Sequence, residues 1–210
     1  MKLKGLDYLD ISSNFSDDEV MIQHSVREFV DNEITPVIDQ HFKDGTFPEE
    51  LIPKFAEMNL LGVNLPEEYD CGGLSHVAYG LVCQELERCD SGIRSFVSVQ
   101  GSLVMYPIYT YGSEDQRRKW LPRLASGDAI GCFGLTEPDY GSNPSGMITN
   151  AKKTDGGYIL NGAKMWITNG TVADVAVVWA KTEDGVVRGF LVEKGMEGLD
   201  TPKLEGKFSL

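Results

Sequence analysis

The chain has 210 residues, 41% of them hydrophobic and 10% aromatic, enough to bury roughly 70% of its unfolded surface in one large core or two small ones. Its 32 acidic residues outweigh 19 basic ones for a net charge of -13, and the longest basic cluster is Arg117–Lys119, so nucleic acid is excluded as an expected partner. No apolar run approaches the roughly 20 residues of a membrane helix, and the N-terminus lacks both the apolar core of a signal peptide and the Arg-rich, acid-poor character of a transit peptide; a soluble, cytoplasmic protein is expected, or a mitochondrial-matrix one in a eukaryote.

Ser16 followed by Glu19 reads as a capping box, after which Val20, Val26, Phe29, Val30, Ile34 and Val37 recur at helical spacing; Pro36 is expected to kink or close that helix. "FPEELIPKFAEMNLLG" sets Pro48 in the first turn of a short second helix and Gly62 where a left-handed C-cap belongs. "SHVAYGLVCQELERCDSG" begins at Ser75, carries an apolar stripe through Val77, Leu81, Val82 and Leu86, and is expected to stop at Gly92. "RSFVSVQGSLVMYPIYTYG" is apolar nearly all round, which predicts a buried helix. Ser113 and Gln116 form another capping box, opening a helix that Gly127 closes.

Beyond Gly127 the period shifts towards two. "MITNAKKT" and "YILNGAKMWITN" read as a hairpin around Asp155–Gly157, and "ADVAVVWAKT" and "VVRGFLVEKG" as a second around Glu183–Gly185; "TPKLEGKFSL" reads as a further strand. The expected fold class is α+β: an all-α domain over residues 1–127, then an all-β, barrel- or sandwich-like middle domain over 128–210 that is cut short at its end.

Cys71, Cys83, Cys89 and Cys132 contain no C-x-x-C pair and only His24, His41 and His76 could join them, so neither a metal site nor a disulfide scaffold is expected. No P-loop, no G-x-G-x-x-G after a strand and no G-x-S-x-G elbow is present. The informative stretch is "GLTEPDYGSNP", residues 134–144, whose turn-formers place it on a sheet rim. Its backbone N–H groups and the hydroxyls of Thr136 and Ser142 suit an anionic or hydrogen-bonding ligand, and Trp166–Asn169 adds a flat aromatic face and the Thr168 hydroxyl. On chemistry alone two readings stand: a site for a planar heteroaromatic ligand, or a decorated turn with Trp166 in the core.

"CFGLTEPDYGSNP", "LNGAKMWITN" and the helices-then-strands order resemble the acyl-CoA dehydrogenases, and "ELERCDSGIRSFVSVQGSLVMYPIYTYG" with "GFLVEKGMEGL" resembles the glutaryl-CoA dehydrogenase branch, from about residue 10 to residue 210. The resemblance implies FAD as cofactor, contacted by Leu135, Thr136, Gly141, Ser142, Trp166, Ile167 and Thr168, with Ser142 also beside the CoA pantetheine chain. Asn143 stands where the family usually has Asp, and the turn is expected to survive because both side chains bond locally. Glu87, Arg94 and Ser95 match the residues around the distal carboxylate of glutaryl-CoA; the plain alternative is a Glu87–Arg94 surface ion pair. The activity implied is α,β-dehydrogenation of glutaryl-CoA with decarboxylation to crotonyl-CoA, an electron-transferring flavoprotein as acceptor, and a homotetramer at full length. The family's complete chain continues into a second helical domain that carries the glutamate base. No catalytic base is therefore assigned in these residues, and the isolated chain is expected to be inactive, a non-catalytic flavin or acyl-CoA binding fragment or a truncated remnant being the alternatives.

Overall fold

The structure, a computed structural model, describes residue 7 and residues 9–207. Helix α1, Asp17–Phe29, opens on the expected capping box: the Ser16 hydroxyl accepts from the Glu19 N–H, and the Glu19 carboxylate accepts from the Ser16 N–H. The chain does not close at Pro36. A π-helical turn at Val30–Ile34 admits an extra residue, and α2, Thr35–Asp44, restarts with Pro36 in its first turn, where the missing N–H is not needed. Thr35 Oγ1 donates to the Val30 carbonyl at 3.1 Å across this junction.

Pro48 precedes a 3-10 turn at Glu49–Leu51 and α3, Ile52–Glu57. The left-handed residue after α3 is Asn59 (φ 54), not Gly62, because asparagine tolerates that conformation. Gly62 is instead a packing glycine: a Cβ there would lie 2.9 Å from Met105 Cε and 3.0 Å from Cys71 Sγ. Helix α4, His76–Cys89, is capped by Ser75 as expected but ends before Gly92. Asp90, in extended conformation, breaks it and caps α5, Ser91–Ser98, its Oδ1 accepting from the Ile93 N–H at 2.8 Å. Arg94 and Ser95 lie on a helix as expected, but that helix begins at Ser91 rather than at Arg94. A π-helical segment at Val99–Met105 carries α5 into α6, Tyr106–Tyr111, and this run buries Phe96, Val97, Val104, Met105 and Ile108. The second capping box opens α7, Glu114–Ala125, which Gly127 follows in the left-handed region (φ 75).

Five strands follow: β1 Gly131–Gly134, β2 Asn150–Thr154, β3 Gly157–Asn161, β4 Val175–Thr182 and β5 Val187–Glu193. They form one mixed sheet in the order β1-β4-β2-β3, with β5 also on β4. Along one edge of β4 run β1, parallel from Gly131↔Val175 to Gly134↔Val178, and β2, parallel at Lys181 and Thr182. Along the other edge runs β5, antiparallel from Val175↔Glu193 to Lys181↔Val187. The two hairpins turn where expected. The first loses its strand after Asn161, however, so Trp166–Asn169 is an irregular turn and not a strand end. Residues 201–207 form no strand, and 208–210 lie outside the described residues.

Two apolar clusters hold the molecule together. One joins Val26, Ile34, Phe55, Leu61, Leu86 and Phe96 to Ile130; the other joins Met105, Trp120 and Leu124 to Val175 and Val177 of β4. The sheet thus sits directly on the π-helical segment, so closely that a Cβ on Gly131 would fall 2.4 Å from Val104 Cγ1. Gln100, fully buried in that segment, donates to the carbonyls of Leu124 and Ala129, both at 2.9 Å, and accepts from the Gly131 N–H at 2.8 Å. Nothing in the hydrophobic pattern marked this residue, yet it sets where β1 begins and so where the loop after β1 starts. Among the described residues no helix is long and apolar enough to cross a membrane.

Candidate functional site

The loop after β1 is ordered from inside by a carboxylate. Glu137, 2% exposed, accepts from the Ile148 N–H at 2.8 Å, from the Thr149 N–H at 3.0 Å and from Lys164 Nζ at 2.8 Å. Burial alone would raise its carboxyl; the ammonium of Lys164 and the two backbone N–H groups outweigh that and hold it at about 2. Lys164 Nζ also donates to the Leu135 carbonyl at 3.0 Å, so the buried pair ties both ends of the loop to the segment after β3. Reasoning from the sequence missed both residues. The available signal was a single amine in an otherwise uncharged "NGAKMWITN".

That segment is clamped at two further points: the Met165 N–H donates to the Thr136 carbonyl at 2.9 Å, and Asn169 Nδ2 donates to the Gly131 carbonyl at 3.2 Å. Between the clamps Trp166 has φ 63 and Asn169 φ 65. A left-handed tryptophan stores on the order of 1 to 3 kcal/mol of strain, and strain of this kind gathers at ligand clamps. The ring is 60% exposed, which removes the reading of Trp166 as a core residue. Thr168 is exposed and Ile167 half-buried beside it. Across the clamp, the N–H groups of Leu135 and Thr136 meet no acceptor among the described residues. Gly141 and Ser142 are exposed at the loop tip, and Asn143 keeps its turn: its carbonyl accepts from the Gly146 N–H at 3.1 Å and its Oδ1 from Ser145 Oγ at 2.8 Å.

A groove of about 3360 Å³ opens between helices and sheet, lined by Glu87, Ser91 and Ser95 on one side and by Trp166, Ile167 and Thr168 on the other. Its volume exceeds the roughly 300 to 1,000 Å³ of a small-molecule pocket, so shape by itself selects no ligand. Leu135, Thr136, Gly141, Ser142 and Arg94 are not among its lining residues. The first two reach it through their bonds to Lys164 and Met165, and Arg94 through Glu87, whose Oε2 accepts from Arg94 Nε. Ser91 Oγ donates to the other oxygen, Oε1, and the bonds from Ser91 and then Arg94 hold the Glu87 carboxyl below its ordinary range. With side chains 44% and 33% exposed, this pair contributes only about 0 to 1 kcal/mol to stability. Neither terminal nitrogen of Arg94 meets an acceptor among the described residues.

Cys89 and Cys132 line the groove. All four cysteines are free, and burial pushes the thiols of Cys71 and Cys132 up to about 12 and about 11.

Residues 16–128 match the family model described as acyl-CoA dehydrogenase, N-terminal domain, and residues 132–210 the one described as acyl-CoA dehydrogenase, middle domain. The crystal structure of a glutaryl-CoA dehydrogenase from Mycobacterium smegmatis in complex with FADH2 superposes with a TM-score of 0.93 at 53% identity, over 96% of this chain and 52% of that one. An acyl-CoA dehydrogenase of Bacillus subtilis (strain 168) is 38% identical over 197 residues, 92% of this chain and 52% of the relative. The mitochondrial isovaleryl-CoA dehydrogenase of Arabidopsis thaliana is 34% identical over 202 residues, 93% of this chain and 49% of the relative. The chain thus spans about half the length of the relatives it matches. A helical N-terminal domain followed by a sheet-bearing middle one, matched in that order by both family models, makes this chain a member of the acyl-CoA dehydrogenase family.

Proposed function

We propose that this chain supplies the flavin-binding and acyl-CoA-binding walls of an FAD-dependent acyl-CoA dehydrogenase acting on glutaryl-CoA, with the helical and sheet domains dividing at residues 127 and 128. The observation that carries the reading is the clamped, left-handed Trp166 turn, which holds an exposed aromatic ring beside a loop whose Leu135 and Thr136 N–H groups meet no acceptor among the described residues. That donor set fits a flat ring system with hydrogen-bond acceptors on its rim.

Bound FAD would supply the hydride acceptor for the β-carbon of the thioester. The N–H groups of Leu135 and Thr136 and the hydroxyls of Thr136 and Thr168 donate to the ring's acceptors and favour negative charge there. Trp166 and Ile167 would hold the ring, and Gly141 and Ser142 of the loop tip would help to hold it, Ser142 bonding the pantetheine chain as well. Arg94, joined to the groove through Glu87, would offer its two terminal nitrogens to the distal carboxylate, and the groove-lining Ser95 would add a hydroxyl. Glu87 holds Arg94 by Nε. No described residue is assigned as the base that removes the α-proton. Decarboxylation to crotonyl-CoA, an electron-transferring flavoprotein as acceptor and assembly as a homo-oligomer complete the proposal.

Two measurements test it. Thr168→Ala is expected to weaken FAD binding by about 1 kcal/mol, roughly fivefold, in a fluorescence titration, and to shift the flavin's reduction potential; unchanged affinity and potential would contradict the flavin site. Arg94→Ala is expected to weaken glutaryl-CoA binding at least about tenfold while sparing butyryl-CoA, because a hydrogen bond to a charged group is worth about 1.5 to 3 kcal/mol. Equal losses on the two esters would sink the carboxylate role.

A further inference from the structure

The break between α4 and α5 brings three polar side chains together. Glu87 sits in the last turn of α4, and Ser91 and Arg94 in the first turns of α5, with Asp90 turning the chain between them. Both Glu87 oxygens are engaged, Oε1 by Ser91 Oγ and Oε2 by Arg94 Nε. A carboxylate beside a guanidinium frequently takes two parallel N–H bonds, for example one from Nε and one from a terminal nitrogen. Here it takes one. The terminal nitrogens of Arg94 stay unpartnered among the described residues on a side chain 33% exposed; Glu87 and Ser91 line the groove, and Arg94, joined to it through Glu87, does not.

We propose that Ser91 is a positioning residue for dicarboxylyl-CoA recognition: by holding Glu87 Oε1 it keeps Glu87 from closing a two-point grip on Arg94, which leaves the guanidinium fork free for the substrate's distal carboxylate. The inference rests on the glutaryl-CoA reading of the site and adds to it a residue that does not itself touch the substrate. Without the Ser91 hydroxyl, Glu87 rotates onto the terminal nitrogens and competes with the substrate for them. The penalty falls only on acyl groups that end in a carboxylate, since a butyryl tail asks nothing of Arg94.

The test is calorimetric titration of the FAD-loaded 210-residue chain with glutaryl-CoA and with butyryl-CoA, for the unaltered protein and for Ser91→Ala, Ser91→Thr and Arg94→Ala. Ser91→Ala is expected to weaken glutaryl-CoA about three- to tenfold, part of the value of one charge-assisted hydrogen bond, and to leave butyryl-CoA unchanged. Ser91→Thr, which keeps the hydroxyl, is expected to restore glutaryl-CoA binding. If Ser91→Ala weakens both esters alike, or neither, while Arg94→Ala selectively weakens glutaryl-CoA, the positioning role is overturned and the substrate reading stands. If Arg94→Ala shows no selectivity, or the unaltered chain binds neither ester, the substrate reading fails and the inference fails with it.

Discussion

Replacing Glu137 by alanine is expected to destabilise the protein by about 3 to 5 kcal/mol, because it strands the buried ammonium of Lys164 together with two backbone N–H groups. For a chain of this size that lowers the melting temperature by roughly 10 °C. The double variant Glu137→Ala/Lys164→Met is expected to recover a good part of the loss, since a buried pair is costly to break but far less costly to remove whole. A pH signature accompanies it. The folded-state carboxyl is depressed to about 2 from an ordinary 4.5, so the stability it contributes is fully present above pH 4.5 and is lost as pH falls through about 2. Urea unfolding across that window should show the loss in the unaltered protein and a shallower one in Glu137→Ala. A destabilisation below about 1 kcal/mol would mean that water reaches Lys164 and that the pair does not order the loop. Flavin affinity should fall in step with stability, because the Trp166 turn is tethered through Lys164.

Gln100→Ala is the second large effect. The substitution leaves the Gly131 N–H and the carbonyls of Leu124 and Ala129 without partners in an interior that water does not enter, at about 1 to 3 kcal/mol for each group that stays unsatisfied. An added cavity brings the expected loss to about 3 kcal/mol or more. Gln100→Leu refills the volume but not the bonds, so it should rescue only the cavity part. Hydrogen exchange gives the local readout: the Gly131 N–H is expected to exchange faster in both variants. Unaltered exchange at Gly131 would show that β1 is anchored by its pairing with β4 alone.

What could be read in advance followed the range of the interaction involved. The capping boxes at Ser16 and Ser113, the Ser75 cap and the Gly127 stop are written within three or four residues of one another, and all four stand in the structure. The errors cluster where a distant contact outweighs a local preference. Pro36 was expected to kink or close a helix; the helix does not close there, because the π turn before it supplies a new first turn in which proline is at home. Gly62 looked like a cap and is a packing contact with Met105 and Cys71, residues near it in space alone. "GAKMWITN" carried strand-forming residues and became a turn because Lys164 is drawn inward to Glu137 and Asn169 to the Gly131 carbonyl.

The same division runs through the candidate site. By itself the sequence determined the order of helices before strands, most of the caps, both hairpins and the motifs that identify the family, since each depends on residue type and spacing along the chain. The tertiary structure alone decided which polar groups face one another: Glu137 with Lys164, Gln100 with the start of β1, Ser91 and Arg94 with Glu87 across a helix break. Apolar periodicity states that a residue is buried but not what satisfies a buried charge. That depends on which element is packed alongside, and a buried polar group is tolerated only where the finished fold brings it a partner.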